Sequence, residues 1–138
     1  MIELVKGGLR IELAEPRTYY RGTRFDACGV FRRIVKDGYI YADEWFDSPD
    51  ALRHDNVCGC SEEFYGAYGY DEAATGDSFL KIGVGMLRKE SNAPYDWFHR
   101  YEIVDGGHIE VETDGVKAIF RHKLDGQYRY IKEIELLK

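Results

Sequence analysis

The chain reads Ile109-Glu-Val-Glu-Thr-Asp-Gly-Val-Lys-Ala-Ile-Phe-Arg121. On both sides of the Asp114-Gly115 dipeptide, apolar residues alternate with mostly polar ones. This period of two is typical of β-strands with one wet face, because successive side chains point to opposite faces of a sheet. Asp-Gly favours a tight hairpin turn, since both residues tolerate a positive φ. The stretch therefore predicts two antiparallel strands joined by a short turn.

Asp-Gly recurs at positions 37–38, 105–106 and 125–126. The first of these predicts a hairpin between residues 31–36 and 39–41, because β-branched and aromatic residues flank it. Residues 97–137 predict a four-stranded meander, and residues 9–14 and 79–87 predict two further strands. Helical periodicity is weak throughout. We therefore predict an all-β fold, an antiparallel β-sandwich, with one domain over residues 1–138.

Composition supports a packed core without cross-links. The 138 residues are 44% hydrophobic and 14% aromatic, and a domain of this size buries enough surface to fold without disulfides or metals. The first residues lack the pattern of a signal peptide, and no apolar run is long enough to span a membrane. An odd set of three cysteines, Cys28, Cys58 and Cys60, is typical of free thiols in a reducing compartment. These features predict a cytoplasmic protein with no membrane partner.

The charge distribution argues against one class of partner and marks one segment. The formal net charge is −6 and the pI is near 5.2, whereas nucleic-acid binding requires a basic face. Residues 43–77 carry ten acidic side chains and a single basic one, Arg53. This segment also shows little regular pattern, and long irregular loops in compact domains are often functional. We therefore expect no nucleic-acid partner, and we expect any ligand site to involve this segment.

Acidic and aromatic side chains occur together in this segment. It contains one tryptophan, two phenylalanines and three tyrosines: Trp45, Phe46, Phe64, Tyr65, Tyr68 and Tyr70. Sugars present hydroxyl groups that need polar partners and apolar C–H faces that stack on rings, so this mixture of residue types suits a sugar. The alternative is a solvated acidic loop whose rings pack against the sheet, because ligand sites are few in any protein.

The candidate site residues are two carboxylates, one imidazole and one ion pair. Glu62 and Glu63 are adjacent, so in an extended segment they point in opposite directions and only one faces a given pocket. His54 is the only histidine among residues 43–77, and imidazole is the usual proton shuttle near neutral pH. Arg24 and Asp26 are spaced to form a salt bridge on one face of an extended segment. Each group also has an ordinary structural interpretation, as an exposed or pairing side chain.

Metal binding is not favoured by the spacing of the soft ligands. His54, Cys58 and Cys60 form a His-x₃-Cys-x-Cys pattern, which departs from the usual zinc pairs, and no second Cys/His pair follows. Phosphate-loop and nucleophile-elbow motifs are absent from the sequence. We therefore predict neither a metal nor a cofactor. A small metal-dependent enzyme that uses His54 and nearby carboxylates remains an alternative.

An ordered set of short segments resembles a known superfamily. The segments are Tyr19-Tyr-Arg-Gly-Thr-Arg-Phe-Asp26, Tyr41-x₃-Trp-Phe46, His54-Asp55, Glu62-Glu63-Phe64, Gly69-Tyr-Asp-Glu-Ala73, Phe79-Leu-Lys-Ile-Gly-Val-Gly-Met-Leu-Arg-Lys89 and Tyr101-Glu-Ile-Val104. Together they resemble the N-terminal half of galactose-mutarotase-like proteins, the aldose 1-epimerase superfamily. The resemblance covers roughly residues 2–137.

The resemblance implies half of a galactose-mutarotase-like β-supersandwich that binds a hexose-like sugar. In the better-known mutarotases, a histidine acts as general acid and a glutamate as general base. By resemblance, the sugar-contacting positions are His54, Glu62 and Glu63, with Arg24 and Asp26 behind them, and no residue is assigned as catalytic. The implied function is carbohydrate binding with an incomplete isomerase. The alternative is a non-catalytic remnant or protein-interaction module on the same fold.

The resemblance also has consequences for partners. The second half of the family fold, which normally supplies the general-base glutamate and much of the second sheet, has no counterpart in residues 1–138. Half of a sandwich leaves an apolar sheet face uncovered, and such faces tend to become interfaces. We therefore expect a homodimer, or a separately encoded C-terminal half, to cover that face.

Overall fold

The computed structural model describes residues 1–137, which contain ten β-strands in three antiparallel sheets and no helix. The strands are β1 (Ile2–Lys6), β2 (Leu9–Leu13), β3 (Phe31–Lys36), β4 (Tyr39–Ala42), β5 (Ser78–Lys81), β6 (Gly85–Arg88), β7 (Ile103–Asp105), β8 (His108–Thr113), β9 (Lys117–Leu124) and β10 (Tyr128–Glu135). The all-β prediction is therefore confirmed. No helix in this range is long and apolar enough to cross a membrane.

Two of the sheets pack on each other in a sandwich-like arrangement. The first has the order β1-β2-β3-β4 and the second the order β10-β9-β8. Their shared core contains Leu4 and Leu13 from the first sheet and Phe120 from the second, each fully buried. Alternate residues of each strand supply this core, as a sheet with one buried face requires.

The Asp-Gly turns that were predicted to form hairpins do so at two places. Asp37 and Gly38 join β3 to β4 with φ angles of 50° and 82°, the conformation that a type I′ turn requires. Asp114 and Gly115 join β8 to β9, and the Asp114 carboxylate accepts hydrogen bonds from the backbone N–H groups of Val116 and Lys117. Local turn chemistry decides both hairpins.

The predicted four-stranded meander over residues 97–137 is wrong at its first strand. Only β8, β9 and β10 form a meander, whereas β7 pairs with β6 in the third sheet, which has the order β5-β6-β7. The Asp105 side chain accepts the N–H of Gly107, which has a φ of 66°. The dipeptide Gly106-Gly107 therefore forms a corner that moves the chain from one sheet to another.

Two further strands differ from the prediction. Residues 79–87 form a hairpin rather than a single strand, because Gly83, with a φ of 84°, lies in a turn between β5 and β6. Residues 9–14 form β2 as expected, but the preceding strand β1 was not predicted. Gly7 and Gly8 both have positive φ and join β1 to β2, so the Gly-Gly dipeptide was an available turn signal.

Residues 43–77 contain no strand, and an isolated β-bridge between Tyr68 and Leu80 is one of their links to the third sheet. This agrees with the irregular segment expected from the sequence. The inner face of β9 and β10 is apolar at one end, where Ala118 pairs with Ile134, and polar further along, where His122 pairs with Tyr130. Lys132 lies between these regions, opposite Phe120. The irregular segment contacts this face through Glu62, whose carboxylate pairs with Lys132.

Candidate functional site

Two contacts hold the backbone of residues 62–64, one with Asp26 and one with Lys81 of β5 in the third sheet. The carbonyl of Glu62 accepts the N–H of Asp26 at 2.9 Å. The carbonyl of Phe64 accepts the ammonium of Lys81 at 2.6 Å. An irregular segment needs such partners, since buried backbone groups are costly when unpaired. The two glutamates are thereby placed at the surface with fixed backbone positions.

Glu63 forms ion pairs with two cations. The Nε of Arg24 lies 3.0 Å from one carboxylate oxygen, and the Nζ of Lys81 lies 3.6 Å from the other. The Lys81 side chain is only 1% exposed, and burial lowers its pKa while Glu63 opposes that change. Glu63 is thus oriented by the protein before any ligand arrives.

Glu62 pairs with a different cation. Its carboxylate lies 2.7 Å from the Nζ of Lys132, which also contacts the Asp26 carboxylate at 3.3 Å and donates to the carbonyl of Cys28 at 2.8 Å. The Glu62 side chain remains 65% exposed, whereas that of Asp26 is 1% exposed. Lys132 therefore links an accessible carboxylate to a buried one. The adjacent glutamates therefore pair with different cations, but both line one depression, so the prediction that only one of them faces a given pocket is wrong.

The predicted salt bridge between Arg24 and Asp26 is wrong. Within residues 1–137, Arg24 pairs with Glu63, and Asp26 pairs with Lys132. Residues 21–29 are bends and irregular backbone rather than a strand. Residues two apart share a face only in an extended strand, so the spacing argument does not apply here.

Beneath the glutamates lies a buried polar network. The Asp26 carboxylate accepts the Tyr130 hydroxyl and, at 2.9 Å, the backbone N–H of Cys28. The His122 ring contacts the carbonyl of Gly106 at 2.9 Å and the Tyr128 hydroxyl at 3.2 Å. Burial followed by the Asp26 charge raises the pKa of the Cys28 thiol to about 12 and also raises the pKa of Tyr130. Burial lowers the pKa of His122.

Asp26, Cys28 and His122 also bring three potential metal-ligand atoms within 4.8 Å of one another, the one such group in residues 1–137. Both Asp26 oxygens already accept hydrogen bonds from protein donors, and the ammonium of Lys132 lies beside them. A nearby cation disfavours a metal ion by charge repulsion. The geometry is therefore that of a hydrogen-bonded core network. His54, which the metal alternative required, is not part of this group.

Exposed rings surround Arg24 on its other side. Its guanidinium carbon lies 5.8 Å from the ring centre of Trp97 and 5.5 Å from that of Phe98. Tyr65 contacts Trp97 edge-on at 5.7 Å. We call Tyr65, Trp97 and Phe98 the aromatic surface; they are 77%, 40% and 61% exposed. Accessible ring area therefore lies beside the Arg24–Glu63 ion pair.

His54 also lies beside the aromatic surface. Its imidazole packs edge-on against Phe98 at 4.8 Å and lies 3.9 Å from the Asp55 carboxylate. The side chain is 30% exposed, so it is accessible to solvent. Phe98 is thus a common neighbour of His54 and Arg24, and Arg24 pairs with Glu63.

The structure therefore connects the five predicted residues in two groups. His54, Arg24 and Glu63 share the aromatic surface, while Glu62 and Asp26 share Lys132. Glu62 and Glu63 also line, with Phe64, an open depression of about 320 Å³. Asp26 lies behind this surface, because it is only 2% exposed.

Sequence reasoning missed four residues of this site: Lys81, Trp97, Phe98 and Lys132. Lys132 follows Tyr128 and Tyr130 at a period of two, so these three polar residues on one strand face were a usable signal. Trp97 and Phe98 were assigned to a strand, and nothing in their local pattern places them beside Arg24.

No protein-family model matches the sequence, and neither the curated proteins nor the solved structures include one with significant similarity to it.

Proposed function

We propose that the protein binds a hexose-like sugar between the aromatic surface and the carboxylates of Glu62 and Glu63. The observation that carries the proposal is the position of Arg24, which pairs with Glu63 and lies within 6 Å of the Trp97 and Phe98 ring centres. Exposed rings and ordered carboxylates are thereby adjacent. Rings pack against the C–H faces of a sugar, and carboxylates accept its hydroxyl protons.

Preorganisation supports this proposal. Arg24 and Lys81 hold Glu63 from two sides, and Lys132 holds Glu62. Ordering a flexible side chain on binding costs roughly 0.5–1.5 kcal/mol, and a group that is already ordered avoids that cost. A sugar site gains affinity in this way because its many weak polar contacts would otherwise be offset by the loss of side-chain freedom.

We further propose that binding, rather than turnover, is the primary activity of this chain. Mutarotation requires an acid at the ring oxygen and a base at the anomeric hydroxyl. His54 and the glutamates are groups of these two kinds. The resemblance to aldose 1-epimerases assigns none of these residues as catalytic, so we propose binding alone for residues 1–138.

A thermal-shift screen against a panel of aldoses tests the binding proposal, since a ligand that binds only the folded state raises the melting temperature. We expect Trp97→Ala and Glu63→Gln to abolish the shift produced by a binding aldose. Trp45→Ala is the matched control, because Trp45 is 68% exposed and is not among the ring partners of Tyr65, Trp97 or Phe98 in residues 1–137. The proposal fails if no aldose stabilises the protein, or if Trp45→Ala removes the shift equally well.

A second candidate function, assembly through protein contacts, is favoured by strand β4. This strand is an edge of the first sheet, and its Tyr39, Ile40 and Tyr41 side chains are 74%, 59% and 71% exposed. Exposed apolar edge strands are templates for pairing with another chain. We propose that β4 of one copy pairs with β4 of a second copy, forming a homodimer.

Light scattering tests the homodimer directly. We expect a dimer mass for the unmodified protein and a monomer mass for Ile40→Lys, because a charge on an edge strand opposes pairing. Ile131→Lys is the control, since Ile131 is equally exposed at 59% but lies on β10. A monomer mass for the unmodified protein would exclude this assembly.

A further inference from the structure

A second concave site lies away from the carboxylates. It is a pocket of about 300 Å³ whose wall includes three arginines, Arg17, Arg21 and Arg100. The apolar part of the wall comes from Ala27, Val84 and Ile103. None of Arg24, Glu62, Glu63 or the aromatic surface lines it. The volume is at the lower end of the range for small-molecule sites.

The three arginines are held by a chain of backbone contacts. The Nε of Arg100 donates to the carbonyl of Arg21 at 3.2 Å, and the Nε of Arg21 donates to the carbonyl of Arg17 at 3.1 Å. Arg17 in turn donates through one terminal nitrogen to the carbonyls of Val84 and Gly106, at 2.8 and 2.6 Å. Each guanidinium is therefore fixed by contacts with backbone carbonyls.

These contacts leave much of the donor capacity unused. Within residues 1–137, the terminal nitrogens of Arg21 and Arg100 donate to no protein acceptor, and the same holds for one terminal nitrogen of Arg17. A guanidinium carries five N–H donors in a rigid fork that matches the oxygens of an anion. The pocket thus presents several oriented donors without acceptors.

Charge neutralisation is also missing from this pocket. No carboxylate in residues 1–137 forms a salt bridge with Arg17, Arg21 or Arg100, although six other arginines form such pairs: Arg10, Arg24, Arg32, Arg33, Arg88 and Arg121. The protein has 25 acidic side chains and a net charge of −6. Three unneutralised cations around one pocket are therefore contrary to the overall charge balance.

Arg17 itself has a strained backbone. Its φ is 60°, and it is one of two non-glycine residues in residues 1–137 with a positive φ. Such a conformation is unfavourable for a residue with a side chain and persists where surrounding contacts determine it. Here the two carbonyl contacts of the guanidinium keep the side chain at the pocket wall. Strain of this kind is common at ligand sites.

We propose that this pocket binds the phosphoryl group of a small organic phosphate. Three guanidinium groups match the dianionic charge and the several oxygens of a phosphoryl group better than they match a carboxylate, which has one charge and two oxygens. The organic part of the ligand contacts the apolar wall formed by Ala27, Val84 and Ile103. The site is independent of the proposed sugar site, because the two share no lining residue.

Isothermal titration calorimetry with inorganic phosphate and phenyl phosphate tests the proposal, with acetate and benzoate as carboxylate counterparts at matched ionic strength. We expect phosphate to bind more tightly than acetate, and phenyl phosphate more tightly than phosphate, because the ring contacts the apolar wall. Tighter binding of the carboxylates, or no binding of either phosphate at millimolar concentration, would overturn the proposal.

Two double variants distinguish specific phosphate binding in this pocket from general electrostatic attraction to arginines. The double variant Arg21→Gln/Arg100→Gln should weaken phosphate binding at least about tenfold, since each charge-assisted contact contributes strongly. Arg53→Gln/Arg129→Gln removes the same charge from two exposed arginines outside the pocket and should change affinity less than about twofold. Equal weakening in both double variants would contradict a specific site. Arg100→Lys keeps the positive charge but not the guanidinium geometry, so its phosphate affinity should lie between those of the two double variants. This single variant also provides a test if the first double variant does not fold.

Discussion

The two ends of the second sheet face very different surroundings. At one end, Ala118 and Phe120 of β9 pack into the apolar core shared with β1 and β2. Towards the other, His122 of the same strand and its cross-strand partner Tyr130 belong to a polar network around Asp26, which Lys132 joins from its position opposite Phe120. Two continuous strands thus serve a hydrophobic core and a polar site.

This difference separates two sources of stability. Apolar burial stabilises in proportion to area and tolerates changes of shape. A buried polar network stabilises only when every member has its partner, because desolvation of an unpaired charge is costly. The apolar end should therefore respond to loss of volume, and the polar end to loss of a partner or a change of pH.

The largest effect is expected at the apolar end. Phe120 is fully buried in the shared core, so Phe120→Ala should lower the free energy of unfolding by about 3–5 kcal/mol through lost burial and a residual cavity. Urea denaturation measures this change. Ile131→Ala on the neighbouring strand, where the side chain is 59% exposed, should change it by less than about 0.5 kcal/mol. Similar losses in the two variants would mean that the sheets do not pack as described.

The next largest loss of stability is expected when the polar network around Asp26 loses its cation. Lys132→Met removes the cation beside the buried Asp26 carboxylate, and we expect a loss of about 3 kcal/mol because a buried charge is left without its partner. Lys117→Met is the matched control, since Lys117 pairs with Glu133, which is 53% exposed, and exposed pairs contribute under about 1 kcal/mol. Adding Asp26→Asn to Lys132→Met should recover part of the loss, and no recovery would contradict the assigned role of Lys132.

The sequence predicted much of the sheet structure and little of the path between sheets. Alternation and Asp-Gly turns located β3, β4, β8, β9 and β10, because these features act within a few residues. The assignment of β7 to the third sheet depends instead on the corner at Gly106-Gly107, where β7 pairs with the distant strand β6. Local patterns carry no information on such long-range pairing, so the meander was overextended.

The candidate site was predicted in its residue types more than in its contacts. His54, Glu62 and Glu63 were selected because acids and an imidazole lie on an irregular segment, and the structure places all three at the surface. The cations that orient the glutamates come from elsewhere in the chain, for example Lys81 and Lys132. Ion pairs between residues far apart in sequence leave no local pattern, which also explains why the Arg24–Asp26 pair was wrong.

A smaller effect is expected from alkaline pH, which should lower the free energy of unfolding through the buried Cys28 thiol near Asp26. The pKa of Cys28 is raised from its ordinary value of 9.0 to about 12 by burial and Asp26, so the folded protein keeps a proton that the unfolded chain loses. This stability is complete below pH 9 and is lost as pH rises towards 12. Between pH 9 and 10 the free energy of unfolding should fall by about 1 kcal/mol owing to this group, because the unfolded thiol is only half ionised at pH 9.

Urea denaturation at several pH values measures the slope. Cys28→Ser should make the slope shallower, whatever its effect on absolute stability, because serine does not titrate in this range. Cys60→Ser is the control, since Cys60 is exposed. Burial also raises the pKa of Tyr128 to about 12, so some alkaline sensitivity should persist in both variants above pH 10. An unchanged slope in Cys28→Ser would show that the thiol is not held protonated by the fold.

The smallest change in stability is expected from a contact within the irregular segment, residues 43–77, which contains no strand. The Arg53 guanidinium carbon lies 4.1 Å from the ring centre of Phe46, a cation–π contact within the segment. Arg53→Gln should lower the free energy of unfolding by about 0.5–1 kcal/mol. Arg129→Gln, an exposed arginine on β10, should lower it by less. If the two variants are equally stable, local contacts contribute little, and the segment is held mainly by its anchors to Asp26 and Lys81. The Asp26 anchor belongs to the polar network, so the irregular segment and the residues around Asp26 would then be ordered together.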